Sequence, residues 1–412
     1  MTFRVAIFPW GDVIETFLEP LGLDAQGFAS EMTGGWLFGY VEALATAAVE
    51  TVVIAPSARV TTTTTLVHAG TGVPIVLVPG RRVPHRRTDL QAITRWRTEP
   101  SAAFTAAIRA ERVDAILVQE YEDPRFDLLV RIGRGMGLPV FATFQGGDRT
   151  LSRVERVVRA RTIAKAHGLI VASRAERARL ASSYKVLPPI APIGNPLRLD
   201  TWWGGDRDAM REMLDLPPRA RIAISHCRIS IWRKGLDVLL AAWAAGRREA
   251  DDLLVVIGSG EDRDRFRAMV GATGNVRWID RYTTDRAELR AWLTAADCYV
   301  SASRIEGMPV APLEAMACGL PVVATDAQGV ADIVTGGAAP CGLVVAREDA
   351  TALGLAIDRV LGDPGLRARF AAAARTRVAE AFAIESVGTA LSRFLMATGN
   401  RTAGSRPHPS SR

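Results

Sequence analysis

The sequence predicts an α/β protein built from two doubly wound domains, each with its own mainly parallel sheet. Three observations carry this. The chain has 412 residues, more than one compact core usually holds. Short apolar, β-branched runs alternate with helical patterns, once in each half. Between the halves, IGNPLRLDTWWGGDRDAMREMLDLPPRAR (193–221) carries Pro, Gly and Trp without a clear strand and reads as a connection.

In order along the first half, the runs are FRVAIF (3–8), TVVIAP (51–56), PIVLVP (74–79), DAILV (114–118), PVFAT (139–143) and GLIVAS (168–173). They are continuously apolar rather than alternating, as strands covered on both faces are. GYVEALATAAVE and SRVERVVRARTIAKA supply helical patterns between them. The TTTTT run at 61–65 carries no functional reading.

The second half repeats the plan with RIAISH (221–226), LLVVIG (253–258), VRWI (276–279), CYVSA (298–302), PVVAT (321–325) and GLVVA (342–346). Residues 350–398, rich in Ala and Arg, read as two or three helices, and the polar tail that follows has no apolar pattern. The expected domains are 1–198 and 199–384, with a linker at about 195–218. A C-terminal helix at 385–398 is expected to pack back on the first domain, ahead of a disordered tail at 399–412. Sheets of this kind bind ligands at the carboxyl ends of their strands. With two such domains, the expected site is the cleft between them.

Lys and Arg exceed Asp and Glu by 51 − 44 = +7. That excess favours anionic partners: nucleotide phosphates, an acidic membrane surface or nucleic acid. No nucleic-acid recognition motif appears, so nucleic acid is not expected. Cys227, Cys298, Cys318 and Cys341 contain no C-x-x-C pair and sit in or beside apolar runs. They read as reduced, buried thiols of a cytoplasmic protein. The N-terminus enters a strand without a signal-peptide pattern, and no run of 18 apolar residues suggests a membrane span. A peripheral position on the inner face of a membrane stays compatible with the charge.

The most informative string is RIEGMPVAPLEAMACGLPVVATD (304–326). The strand before it is expected to end near Ser303 and the helix to begin near Pro309 or Val310. That puts Gly307 and Met308 at the helix start, where free N–H groups and the positive dipole end could meet an anion or hydroxyls. Pro309 suits the first turn. Glu306 precedes the turn. Glu314 lies one to two turns inside the helix, and its carboxylate can accept two hydrogen bonds from a vicinal diol such as ribose. Both could instead be solvated helix-end charges, and for Glu314 alone that plainer reading would stand.

The whole string resembles the nucleotide-sugar signature E-G-x-P/G-x-x-x-x-E-A-M-A-C-G-x-P-V-V-A-T of retaining GT-B glycosyltransferases of family 4. Glu306, Gly307, Glu314 to Gly319, Pro321 and Val322 to Thr325 match. The resemblance implies a basic pair after the first strand of the second domain. HCRISIWRKG supplies Arg228 and Lys234, with Gly235 opening a helix. Two cations there would hold a diphosphate leaving group. His226 and Arg233 line the same loop, within reach of the phosphates, and Cys227 stands where the family usually has Gly. IGSGED places Gly258 and Gly260 at a close backbone approach. Asp280, Arg281 and Tyr282 are candidates on the base side, and AQGVADIV (327–334) resembles a further family segment, with Asp332 in place of Glu.

In the first domain the resemblance is looser. Thr33, Gly34 and Gly35 resemble a Gly-rich acceptor-side loop. TFQGGD (143–148) resembles a family segment in which Gln145 replaces a common His, leaving Asp148 as the carboxylate. Gln145 can hydrogen-bond but cannot act as a base. Asn195 and Asp200 partly match the turn before the linker.

The resemblance therefore implies a retaining, metal-independent hexosyltransferase that needs no cofactor. Its donor is a nucleoside diphosphate sugar, and its acceptor a glycan, a lipid-linked sugar or a small molecule. Glu306, Arg228 and Lys234 would carry the transfer. Glu314, Gly307, Met308, Pro309, Gly258, Gly260, Arg281 and Tyr282 would bind the donor, and Gly34, Gly35, Gln145 and Asp148 would face the acceptor. A non-catalytic nucleotide-sugar-binding subunit, or a GT-B epimerase or phosphorylase, are the competing readings. Asp206/Asp208 and Asp262/Asp264 both spell D-x-D, but each precedes a helical pattern, where Asp caps. Trp10, Trp36, Trp202 and Trp203 could form an acceptor platform, or simply pack in the core.

Overall fold

The computed structural model describes residues 2–399 apart from 20–21, 31, 33–35, 84–88, 147–150, 282 and 284. The chain divides into two units. The first comprises Met1–Gly194 with Glu385–Arg412, the second Asn195–Ile384.

The first unit holds strands β1 (Arg4–Phe8), β2 (Glu50–Ser57), β3 (Thr64–Val67), β4 (Pro74–Pro79), β5 (Ala115–Gln119), β6 (Val140–Thr143), β7 (Gly168–Ile170) and β8 (Ile190–Ala191). They form one sheet in the order β3-β4-β2-β1-β5-β6-β7-β8. Every pairing is parallel except β3 with β4, which is antiparallel. The central strands β1, β5 and β6 are buried almost throughout, which is why they read as continuous apolar runs. β3 escaped that reading. It contains the end of the Thr run and is exposed at the sheet edge, where β-branched residues need no apolar face.

Local chemistry sets the helix ends. Asp123 caps Pro124–Met136 through Arg125 N–H, Pro124 occupies the first turn, and Gly137 closes the helix at φ 71°. Ser152 and Glu155 form a reciprocal capping box for Arg153–Ile163. The C-terminal helix Ile384–Gly399 packs into this same unit. Phe394 lies 5.7 Å from the Phe141 ring. It fills the space beside Gly168, where a Cβ would meet its ring.

The second unit contains β9 (Ile222–His226), β10 (Leu253–Ile257), β11 (Val276–Ile279), β12 (Cys298–Ser301), β13 (Val322–Thr325) and β14 (Gly342–Val345). The sheet order is β11-β10-β9-β12-β13-β14, parallel throughout. The order reverses between β9 and β12, so the loops leaving these two strands diverge and open a crevice at their carboxyl ends. The connection read from the sequence contains a helix, Arg207–Met213, whose cap is Asp206 accepting from Asp208 and Ala209 N–H. Asp262 likewise precedes the helix Arg263–Gly271 and accepts from Ile231 N–H. Asp206 thus caps its own helix, whereas Asp262 makes no cap bond to the helix it precedes and ties down the start of Ile231–Lys234 instead.

Candidate functional site

β9 ends in Ser225 and His226, and β12 in Ser301. Their outgoing loops bring Cys227, Ala302, Ser303 and Glu306 around one cavity, with Lys234 and Pro309 on its wall. Lys234 closes the four-residue helix Ile231–Lys234, and Gly235 follows at φ 59°. A Cβ at Gly235 would land on the Ala302 carbonyl. Only glycine allows the Lys234 turn to sit this close to the end of β12.

Lys234 Nζ donates to Glu306 Oε1 at 2.5 Å. Ser303 Oγ donates to the same oxygen at 2.7 Å. Glu306 is buried, 7% exposed, so its charge depends on these two donors. With the pair closed, the space left among the side chains is about 20 Å³, room for a single water. The Cys227 thiol on the same wall is pushed up to about 11 by burial, against the opposing pull of Lys234. It is protonated and inert at neutral pH.

The Glu306 to Glu314 segment differs from the expected helix start. The helix runs Ala311–Ala317, capped by Val310 with Pro312 in its first turn. Gly307, Met308 and Pro309 form a bend ahead of it, not its first turn. Asn195 Nδ2 holds the bend by donating to the Met308 carbonyl at 2.7 Å. The Gly307 carbonyl is packed against Gly329, which sits at φ 79° and leaves no room for a Cβ. Glu314 belongs to the helix's first turn, and its Oε2 accepts from His226 Nε2 at 2.7 Å. His226, read from the sequence as a phosphate neighbour, thus faces the second glutamate of the signature.

Other predicted residues fall elsewhere. Arg228 pairs with Glu261 at 2.9 Å, and both side chains are about half exposed. A bond there restrains the arginine weakly. Gly258 lies against the Cys227 carbonyl and Gly260 against Ile229, so neither has space for a Cβ. The two glycines tuck the end of β10 under the Arg228 loop. Arg281 pairs with Glu288, while Asp280 is held by Ser259, Arg263 and Arg267. Asp332 lies in the first turn of the helix Val330–Thr335. Tyr282, Gly34, Gly35 and Asp148 lie outside the described residues.

In the first unit, Gln145 follows β6. Its Nε2 donates to Thr143 Oγ1 at 3.1 Å, and its backbone N–H donates to Glu120 Oε2 at 3.1 Å. Glu120 adopts φ 112°, a strained region for a residue with a side chain. Burial first, and then the neighbouring Glu122 carboxylate, push the Glu120 carboxyl up to about 8. Trp10, Phe17 and Trp36 form an aromatic cluster with ring separations of 5.1–5.8 Å. Trp202 is buried, and Arg290 stacks on exposed Trp203.

The sequence reading missed Tyr299, Ser303 and Arg304. Tyr299 OH donates to the His226 carbonyl at 3.1 Å. Arg304 binds Asp237, Glu348 and the Trp232 carbonyl, fastening the loop after β12 to the helix Leu236–Ala245. Tyr299 and Ser303 passed as strand residues. Arg304, a lone basic residue at the end of a strand run, offered no spacing signal.

Residues 206–377 match the family described as glycosyl transferases group 1, and residues 38–196 match the glycosyl transferase 4-like domain. The D-inositol 3-phosphate glycosyltransferase of Salinispora tropica is 30% identical over 341 residues, covering 73% of this chain and 70% of that protein. Its counterpart from Salinispora arenicola is 31% identical over 254 residues, 57% of this chain and 56% of that protein. Among solved structures, sucrose-phosphate synthase from Thermosynechococcus elongatus superposes with a TM-score of 0.76 at 20% identity, covering 97% of this chain and all of that one. Anabaena HepE in complex with UDP gives 0.72 at 14% identity, over 96% of this chain. These likenesses show the GT-B fold. No helix among the described residues is long and apolar enough to cross a membrane. A chain whose two halves match successive parts of one enzyme type, and whose second sheet carries the signature at its switch point, belongs to the group 1 glycosyl transferases, family 4 in type.

Proposed function

We propose that the protein transfers a hexosyl group from a nucleoside diphosphate sugar, with retention at the anomeric carbon and without a metal ion. The observation that carries this is the juxtaposition of Lys234 and Glu306 at the carboxyl ends of β9 and β12. A cation that can neutralise a departing diphosphate touches a carboxylate that can orient sugar hydroxyls. Lys234 and Arg228 take the diphosphate, and Glu314 takes the ribose diol. Glu306, with the bend at 307–309, orients the sugar. Gly258 and Gly260 let the backbone approach the nucleotide, with Arg281 and Tyr282 on the base side.

In this reading the acceptor hydroxyl attacks from the leaving-group face, and the diphosphate oxygen receives its proton. No protein nucleophile is needed. Gln145, with Gly34, Gly35 and Asp148, is assigned to the acceptor. UDP in the HepE complex supports a nucleotide donor, and the inositol phosphate named for the Salinispora enzymes favours a polyol phosphate acceptor. The chain covers about 56–70% of those relatives, so the acceptor is a proposal by analogy.

The test is nucleotide release from UDP-, GDP- and ADP-sugars with and without inositol phosphate, using Glu306→Ala as control. Release from one donor, lost in the variant, is expected. Binding of a nucleotide sugar without turnover in any acceptor would instead favour the non-catalytic subunit.

A further inference from the structure

We propose that His226 is a positioning residue of the donor site. It fixes the Glu314 carboxylate so that the ribose hydroxyls meet a preset pair of acceptor oxygens. This rests on the assignment of Glu314 to the ribose.

The geometry comes from both sides of the switch point. His226 is the last residue of β9, paired with Ile257 on β10, so its backbone belongs to the centre of the sheet. Its ring packs edge-on against Tyr299 of β12, with centroids 5.4 Å apart and planes at 70°. The Tyr299 hydroxyl donates to the His226 carbonyl at 3.1 Å. Ring and main chain are therefore both restrained. From that fixed point Nε2 reaches Glu314 Oε2 at 2.7 Å. The acceptor is a carboxylate, so the hydrogen of this bond sits on Nε2. Nδ1 is buried, and among the described residues it has no hydrogen-bond partner, so the bond seen for the imidazole is the one to Glu314.

A carboxylate in the first turn of a seven-residue helix otherwise has several staggered rotamers open to it. Binding a vicinal diol needs both carboxylate oxygens at once. One hydrogen bond to Oε2 leaves Oε1 and a second lone pair of Oε2 open. The bond therefore sets the plane of the carboxylate while leaving the positions a diol requires. The energetic consequence is preorganisation: the rotamer is chosen before the nucleotide arrives.

The experiment measures dissociation constants by calorimetry for UDP, GDP and ADP, and for the 2′,3′-dideoxy counterpart of the tightest binder. Wild type is expected to favour the ribonucleotide by roughly 10-fold or more, the scale of a hydrogen bond to a charged group. His226→Phe keeps the ring and removes the donor. It is expected to lose most of that preference while binding the dideoxy nucleotide within about 2-fold of wild type. His226→Gln, which can present an N–H near the same place, should restore part of the preference. His226→Phe combined with Glu314→Gln should cost little beyond Glu314→Gln alone.

A His226→Phe protein that keeps the full ribose preference overturns the inference and leaves the transferase reading standing. A wild type that binds the nucleotide without preferring its ribo form also overturns it. A wild type that binds none of the three nucleotides overturns both readings together. Melting curves of each variant separate loss of the bond from loss of the fold.

Discussion

Lys234 and Glu306 meet across the switch point of the second sheet, Nζ to Oε1 at 2.5 Å, with Ser303 bonded to the same oxygen. Each is therefore the other's counter-ion. On the proposed reading, a diphosphate that takes Lys234 would release Glu306 from that pair to turn to a sugar. Replacing Lys234 with Ala is expected to lower kcat/KM by about 10²–10³, the scale of losing one charge-stabilising group. Glu306→Gln should lower turnover comparably but cost less stability, because the amide still accepts from Ser303. Initial rates of nucleotide release and thermal melts check both. Near-normal turnover in either variant contradicts the assignment.

Arg228 makes a half-exposed pair with Glu261. Its removal should change stability by no more than about 0.5 kcal/mol, as for other surface pairs. If it holds diphosphate, Arg228→Ala should raise the donor KM by roughly 10-fold or more. Glu261→Gln, which frees the guanidinium, should leave KM unchanged or lower it. Saturation curves for the donor separate these outcomes.

Gly235 is fixed both by its φ of 59° and by the Ala302 carbonyl where a Cβ would lie. Gly235→Ala is expected to destabilise the protein by about 2–4 kcal/mol, combining backbone strain with a forced shift of the strand end. It should also move Lys234 away from Glu306. A melt within a degree of wild type would show that the loop relaxes freely.

Glu120 supplies a pH prediction. Burial, and then the Glu122 carboxylate, push its carboxyl up to about 8. It faces the Glu122 carboxyl, itself raised to about 7 chiefly by burial, the Asp123 charge, and the N–H groups of Glu122 and Gln145. The folded protein thus keeps a proton that the unfolded chain releases near the ordinary glutamate range. Unfolding releases that proton, so stability is full at low pH and is lost as pH rises toward 8. Glu120→Gln should flatten this slope and raise the melting temperature at pH 8 by a few degrees, ~2–5 °C. Melts from pH 5 to 8.5 test it, and an unchanged slope would count against it.

How much was legible follows from where the information lies. β1, β5, β10 and β13 were readable because strands buried on both faces need unbroken apolar runs. The signature singled out Glu306 and Glu314 together because they are eight residues apart on one loop and helix. β3 was not readable, because an exposed Thr-rich edge strand lacks the apolar face that periodicity detects. The start of the helix after Glu306 was placed too early. Pro309 fits a first turn, but the bend held by Asn195 shifts that turn to Ala311. The bond from His226 to Glu314 joins residues 88 positions apart. No local pattern encodes such a pair, since it depends on the strand order that makes β9 and β12 neighbours. The partner of Arg228 was equally hidden, as the sequence around it offers several carboxylates.

The helix Ile384–Gly399 also bears on how the molecule is made. Phe394 fills the space beside Gly168 and meets Phe141, so the first unit is assembled from both ends of the chain. As the polypeptide leaves the ribosome, residues 195–384 are all present, and can close their sheet, before the last side chains of the first unit have been synthesised. Until then, the groove against β6 and β7 stays uncovered. A chain interrupted near residue 384 would therefore expose apolar surface on the first unit while the other sheet is already complete.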